Sequence, residues 1–270
     1  VNRFLHLFRL GNCFMGVIGL TVAAFIGAGA DLLEHWRNLV VASVVVFTFI
    51  AGGNSLNDYI DREVDRIAHP ERPIPSGRME AGTALKVSAV AFSVAILLSG
   101  LLSWEAAAVV IAAIVLMLAY EFRYKSTGIV GNVIIAVLTG LLFILGGVVV
   151  GAVINTVAIA GMAGLVTIGR EITKDIEDIE GDIDRRTLPM VIGERNAGMV
   201  AAICYLSGVA LSMQPVLAGL FNDLYLGAVL VADAIFIYCA WILFKDPRSG
   251  QRYAKFGMMV ALIAFILGGF

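Results

Sequence analysis

The spacing of charge along this chain limits its fold more than any other feature. Residues 10–30, 38–57, 87–105, 126–169 and 196–222 are almost free of charged side chains. An apolar stretch of about 20 residues is long enough to cross a bilayer core, and the 44 residues of 126–169 suffice for two crossings. Charged residues make up only 15% of the 270 positions, against about 25% in an average soluble domain. The pattern predicts an all-α, polytopic membrane protein.

Nine spans are expected, at about 8–30, 39–60, 84–102, 105–121, 128–150, 154–173, 197–219, 224–244 and 253–270, in one transmembrane domain over 1–270. No cleavable signal peptide is expected, because the first apolar run is too long and lacks a small-residue cleavage site. Of 19 Lys and Arg residues, only Arg37 falls on the side of the 1–2, 3–4, 5–6 and 7–8 connections. The positive-inside rule then predicts a multi-pass cell-membrane protein whose N-terminus and larger loops face the cytoplasm. Cys13, Cys204 and Cys239 lie inside spans without paired spacing and read as small core hydrophobes.

Against this background the sequence NDYIDREVD at 57–65 is unexpected at the end of an apolar span. Asn54, Asp58, Asp61 and Asp65 are offset by 0, 4, 7 and 11 positions, and Glu171, Asp175, Asp178 and Asp182 repeat those offsets at the end of the sixth span. At 3.6 residues per turn each set falls within about 60° on one helix face. Each motif also follows a span with a similar polar marker, Asn12 in LGN and Asn132 in VGN. A four-helix unit used twice, about 1–122 and 123–244, with an extra helix at 253–270, accounts for this. An even number of spans per copy makes the copies parallel, so both acidic stripes are expected at one membrane face around a central cavity.

Carboxylates stacked on one face repel unless a cation lies among them. Oxygen ligands without nearby His or Cys suit Mg²⁺ or Ca²⁺. Because Mg²⁺ combines one or two carboxylates with waters and substrate phosphates, the paired stripes suggest two Mg²⁺ ions gripping a diphosphate. Fixed cations occur on the same side. Arg72 lies in a loop stiffened by Pro70, Pro73 and Pro75. Tyr120, Arg123 and Lys125 lie in YEFRYK, and Lys174 precedes Asp175. Taken singly, each cation also fits the general inner-side excess.

These motifs resemble those of the UbiA superfamily of intramembrane prenyltransferases. NSLNDYIDREVD matches its NDxxDxxxD pattern, and DIEDIEGD matches its second acidic motif. RPIPSG, YEFRYK with the downstream Asn132, and RRTLP also fit, and the similarity spans essentially the whole chain. The second motif departs from the pattern in carrying both DxxD and DxxxD spacings, which leaves open which of its acids touch metal. The resemblance implies Mg²⁺-assisted ionisation of an allylic isoprenyl diphosphate and capture of the prenyl cation by a lipophilic acceptor. It implies Asn54, Asp58, Asp61, Asp65, Asp175, Asp178 and Asp182 as ligands of two Mg²⁺ ions, with Arg72, Lys125, Lys174, Tyr120 and Arg123 around the diphosphate.

Within the family the motifs look most like archaeal members that transfer a geranylgeranyl group to geranylgeranylglyceryl phosphate in ether-lipid synthesis. Arg9 is then placed for the acceptor phosphate, or is a snorkelling interface residue. Asn12 and Asn132 are substrate contacts or interhelical glue. An aromatic quinone precursor such as a hydroxybenzoate or naphthoate is the alternative acceptor. The expected partners are those substrates and the bilayer, with no nucleic acid and no obligate protein. A membrane ion or solute transporter is the alternative of another class, disfavoured because the acids cluster at one face and the repeat is not inverted. Asp233, near the middle of the eighth span, is either functional or a hydrogen-bonded helix contact.

Overall fold

The computed structural model describes residues 3–179 and 186–268. Among them, eight continuous helical runs are long and apolar enough to cross a membrane. The first of these, Leu10–Ile60, contains a tight 3-10 stretch at Gly29–His35, on either side of which the chain packs back on itself. It therefore supplies two helices, α1 (Leu10–Ala28) and α2 (Trp36–Ile60). The others are α3 (Ala81–Leu102), α4 (Trp104–Ala119), α5 (Ile129–Val149), α6 (Val153–Glu177), α7 (Glu194–Ser212), α8 (Asp223–Ile242) and α9 (Pro247–Gly268). The nine expected spans are thus present among the described residues, as the all-α reading requires.

Local chemistry sets several boundaries. Gly29 ends α1 with a φ of 54°, and Gly128 and Gly193 precede α5 and α7 with positive φ, which glycine adopts without a Cβ penalty. Ser103 caps α4 by accepting from Ala106 N at 3.1 Å. Asn222 caps α8 by accepting from Leu224 N and Tyr225 N, groups that the first turn leaves without helical partners.

Each helix packs on the next, and α9 returns to α1, closing a ring. The pairs α1–α2, α2–α3 and α3–α4 in the first half are matched by α5–α6, α6–α7 and α7–α8 in the second. The halves meet along α1 and α5. There a Cβ on Gly146 would lie 2.4 Å from the Ala23 Cβ and 2.9 Å from the Ala24 nitrogen. In lipid the hydrophobic effect does not drive helices together, so such close backbone packing between small residues contributes much of the association. One apolar cluster joins α1–α5, a second joins α6–α9, and a third lies where α1, α5, α6, α8 and α9 meet.

The two ends of the bundle differ. At one end Ser103 alone separates α3 from α4, and residues 150–152 separate α5 from α6. The other end carries the longest connection, 61–80. Both α2 and α6 run for 25 residues, about 38 Å at 1.5 Å per residue. That exceeds a hydrocarbon core of about 30 Å, so their final turns can leave the apolar layer. An otherwise lipid-suited helix can therefore end in acids.

Candidate active site

Arg9 is the one non-glycine residue with positive φ, 49°, among the described residues. It breaks the helical path between Arg3–Phe8 and α1. The break frees the Phe8 carbonyl, which accepts from the Asn54 side-chain amide at 2.8 Å. Asn54 thereby fixes the N-terminal helix against α2. The same break directs the Arg9 guanidinium to Asp58, with which it forms an ion pair, and to the Asn57 oxygen at 3.0 Å.

The first acidic stripe divides where α2 ends. Asp61 is the junction between α2 and a short helix, Arg62–Ala68. Asp58 and Asp65 are buried, and Arg72 serves both, 2.5 Å from Asp65 Oδ2 and 3.7 Å from Asp58 Oδ1. Asp61 faces another way and accepts from Lys125 Nζ at 2.6 Å and from Asn57 Nδ2 at 3.0 Å. Glu121, which the sequence reading leaves without a role, completes this second group. Its buried carboxylate accepts from Lys125 Nζ at 3.0 Å and Asn57 Nδ2 at 3.1 Å. Glu121 and Asn57 were missed because their pairing spans 64 positions; the only local signal was an acid four residues before Lys125.

Lys125 reaches Asp61 because α4 does not stop cleanly. Tyr120–Tyr124 forms a π-helical turn in which Lys125 N donates to Tyr120 O at 2.8 Å. Tyr120 is half-buried with its ring beside Gly131, whose missing Cβ would lie 2.7 Å from the Tyr124 oxygen. Arg123 is exposed and lies over the Tyr124 ring.

The second motif ends α6. The buried Asn132, in the first turn of α5, donates to Asp175 Oδ2 at 2.7 Å. Glu171 pairs with Arg170, Asp178 is half-buried at the helix end, and Lys174 is exposed. Asp182 lies outside the described residues. Ser126 O accepts from Arg186 N at 3.0 Å, so the α4–α5 connection touches both motif regions. It holds Asp61 through Lys125 on one side and the segment after the second motif on the other. Asn12 is exposed on the first turn of α1.

The structure therefore gathers Arg9, Asp58, Asp61, Asp65, Arg72, Lys125, Asn132 and Asp175 at one end of the bundle. Arg123, Lys174 and Asn12 lie on exposed positions, and the Asn54 amide is committed to the Phe8 carbonyl. Among the described residues no three His, Cys, Asp or Glu side chains converge as a metal cage. The acids meet cations and amides instead, which offsets the cost of burying them. Beneath them an apolar cavity of about 180 Å³ lies between α1, α5, α6, α7, α8 and α9.

A charged cluster at one end of a bundle of membrane-length helices, with an apolar cavity inside the bundle, suits a membrane enzyme whose substrates join a polar head to a hydrocarbon tail. Similarity to known proteins specifies the kind: the chain belongs to the UbiA prenyltransferase family, whose model matches residues 17–266, and it is a multi-pass membrane prenyltransferase. Among its relatives, a digeranylgeranylglyceryl phosphate synthase of Natronomonas pharaonis is 39% identical, covering 99% of this chain and 97% of that protein. One of Methanosphaera stadtmanae is 36% identical, covering 99% of both. A solved structure described as digeranylgeranylglyceryl phosphate synthase in membranes superposes with a TM-score of 0.88 at 32% identity, covering 99% of this chain and 97% of that one. A UbiA homologue of Archaeoglobus fulgidus, solved with GPP and Mg²⁺, shares the fold at a TM-score of 0.66 and 16% identity, over 99% and 98% of the two chains.

Proposed function

We propose that this chain transfers a geranylgeranyl group from its diphosphate to the glycerol hydroxyl of geranylgeranylglyceryl phosphate, with Mg²⁺ at the acidic motifs and the site open to the cytoplasm. The observation that carries this reading is the set of Arg9, Arg72 and Lys125, each drawn against a motif carboxylate at one end of the bundle. The acceptor assignment is supported by full-length relatives of that activity. The cytoplasmic orientation is supported by the placement of 18 of the 19 Lys and Arg residues.

The residues present fit Mg²⁺. They offer oxygen donors, and the lack of a three-acid cage among the described residues leaves most of the coordination shell for diphosphate oxygens and water, as Mg²⁺ prefers. Bound there, the metal supplies Lewis-acid neutralisation of the departing diphosphate. Asp58, Asp61 and Asp65, with the side-chain oxygen of Asn54, would hold metal from one side and Asp175, Asp178 and Asp182 from the other, sufficient for two ions. With metal held by those carboxylates, Arg72 and Lys125 would be available to diphosphate oxygens, with Tyr120 beside Lys125. Charge stabilisation of this kind, set in place before reaction, is commonly the largest catalytic contribution.

The allylic carbon–oxygen bond breaks with its electron pair leaving on the diphosphate. The glycerol oxygen then bonds to the allylic carbon and its proton passes to the departed diphosphate. Arg9 is placed for the acceptor's phosphate, Asn132 orients Asp175, and Asn54 holds the helix that carries Arg9. Arg123 and Lys174 add positive potential at the rim, where Asn12 also lies. Packing apolar helices around the tail excludes water and protects the cation. The matched helix contacts of the two halves support a parallel repeat, about 1–122 and 123–244, with 253–270 added.

Purified protein with labelled geranylgeranyl diphosphate, a panel of lipid and aromatic acceptors, and Mg²⁺ or chelator tests this reading. A digeranylgeranyl product is expected that requires metal and falls at least about 10²-fold in Asp58→Asn and Asp175→Asn. Prenylation of an aromatic acceptor alone, or metal-independent turnover, overturns it.

A further inference from the structure

The cavity below the charged cluster is lined almost wholly by hydrocarbon, yet one acid stands in its wall. Asp233 is buried in α8 and accepts from the Ser212 hydroxyl at 2.8 Å. The Ser212 carbonyl accepts in turn from Tyr225 Oη at 2.8 Å. None of these three residues belongs to the acidic motifs.

The cavity lies along the same helices that carry the cluster. On α6, Val166 and Met162 line it, 9 and 13 residues before Asp175, or about 14 and 20 Å along the helix. On α5, Thr139 lines it seven residues beyond Asn132, about 10 Å away. A chain whose head is held at Asp175 must therefore descend about 10–20 Å before it meets this space. An apolar cavity of about 150 Å³ can take a benzene molecule. The space here, about 180 Å³, accommodates one five-carbon isoprene unit rather than a whole chain.

We infer that this cavity receives the terminal unit of a polyisoprenoid chain and that Asp233, held by Ser212, is the element that limits its length. The inference rests on the transferase reading above. A unit pushed past Asp233 would press hydrocarbon against a buried carboxyl group and advance only by breaking its hydrogen bond with Ser212, which is costly. Specificity then comes from an unfavourable contact with the longer chain and not from a stronger grip on the correct one. The donor's prenyl tail and the acceptor's isoprenoid chain share this chemistry, and either can be the occupant.

Wild type, Asp233→Asn, Asp233→Ala and Ser212→Ala are compared in two series. One varies donor length from two to five isoprene units with a fixed acceptor, and the other varies acceptor chain length with a fixed donor. Asp233→Ala should raise the relative kcat/KM for a chain one unit too long by about tenfold or more, in one series only, and that series identifies the occupant. Asp233→Asn, which keeps the volume and the Ser212 contact, should retain the wild-type profile. Turnover with both profiles unchanged in Asp233→Ala overturns the inference. Absence of turnover with every donor overturns the transferase reading instead. Thermal stabilisation of the same proteins by prenyl alcohols of graded length then still reads the length limit, and a limit unmoved in Asp233→Ala overturns it there as well.

Discussion

At the scale of single residues, Glu121 shows how the site is held. Its carboxylate is buried and takes hydrogen bonds from Asn57 and Lys125, while Lys125 also reaches Asp61. Glu121→Ala leaves a half-buried lysine with one anionic contact fewer and an amide short of an acceptor, a loss of about 1.5–3 kcal/mol for hydrogen bonds to charged groups. The expected result in steady-state assays is a kcat/KM for the diphosphate lowered about 10- to 100-fold. Glu121→Gln, which still accepts from Asn57, should lose less; equal losses in the two variants would count against a positioning role. The sequence marked Asp58, Asp61, Asp65 and Asp175 by their spacing at the ends of two apolar spans, but it did not show the break at Asp61 that turns this residue away from Asp58 and Asp65. Glu121 was not marked, because its value depends on a neighbour that only tertiary packing supplies. The left-handed turn at Arg9 was equally hidden, since nothing local requires an arginine to adopt it.

The helices themselves were the most legible part of the chain. Gaps between charges gave nine spans whose ends agree with the structure to within a few residues, apart from wider differences at the end of α7 and the start of α9. What charge spacing could not show is how α1 and α5 approach each other, because contact between distant small residues leaves no local pattern. Gly146 is the test of that contact. Its absent Cβ would sit against Ala23 and Ala24, so Gly146→Val must separate two backbones. Overpacking of this kind costs about 1–3 kcal/mol. A lower melting temperature in detergent is expected, with partial recovery in the double variant carrying Ala23→Gly, which removes the nearest opposing atom. A melting temperature equal to wild type would show that the halves do not depend on this approach.

For the whole molecule, the charged cluster is neutralised by the protein's own side chains: Arg9 with Asp58, Arg72 with Asp65 and Lys125 with Asp61. The first motif thus has built-in counterions, and the fold is expected to stand without a divalent ion. Chelation should abolish prenyl transfer while shifting the melting temperature by no more than about 2 °C, a stability change of about 1 kcal/mol for a domain of this size. Unfolding on chelation would show that the ion is structural. The parallel halves proposed above rest on repeated motif spacing, on span parity and on the matched helix contacts. The ring closed by α9 on α1 was not legible in the sequence, because a single unrepeated helix carries no such internal comparison.

The sparse connections on the side away from the motifs have a practical consequence. With Ser103 alone joining α3 to α4 and three residues joining α5 to α6, two of the turns on that surface offer an antibody or protease very little to grip. A nanobody selected against the intact bundle in a nanodisc should mostly recognise the opposite surface. Binders recovered in this way would be a ready source of competitive inhibitors.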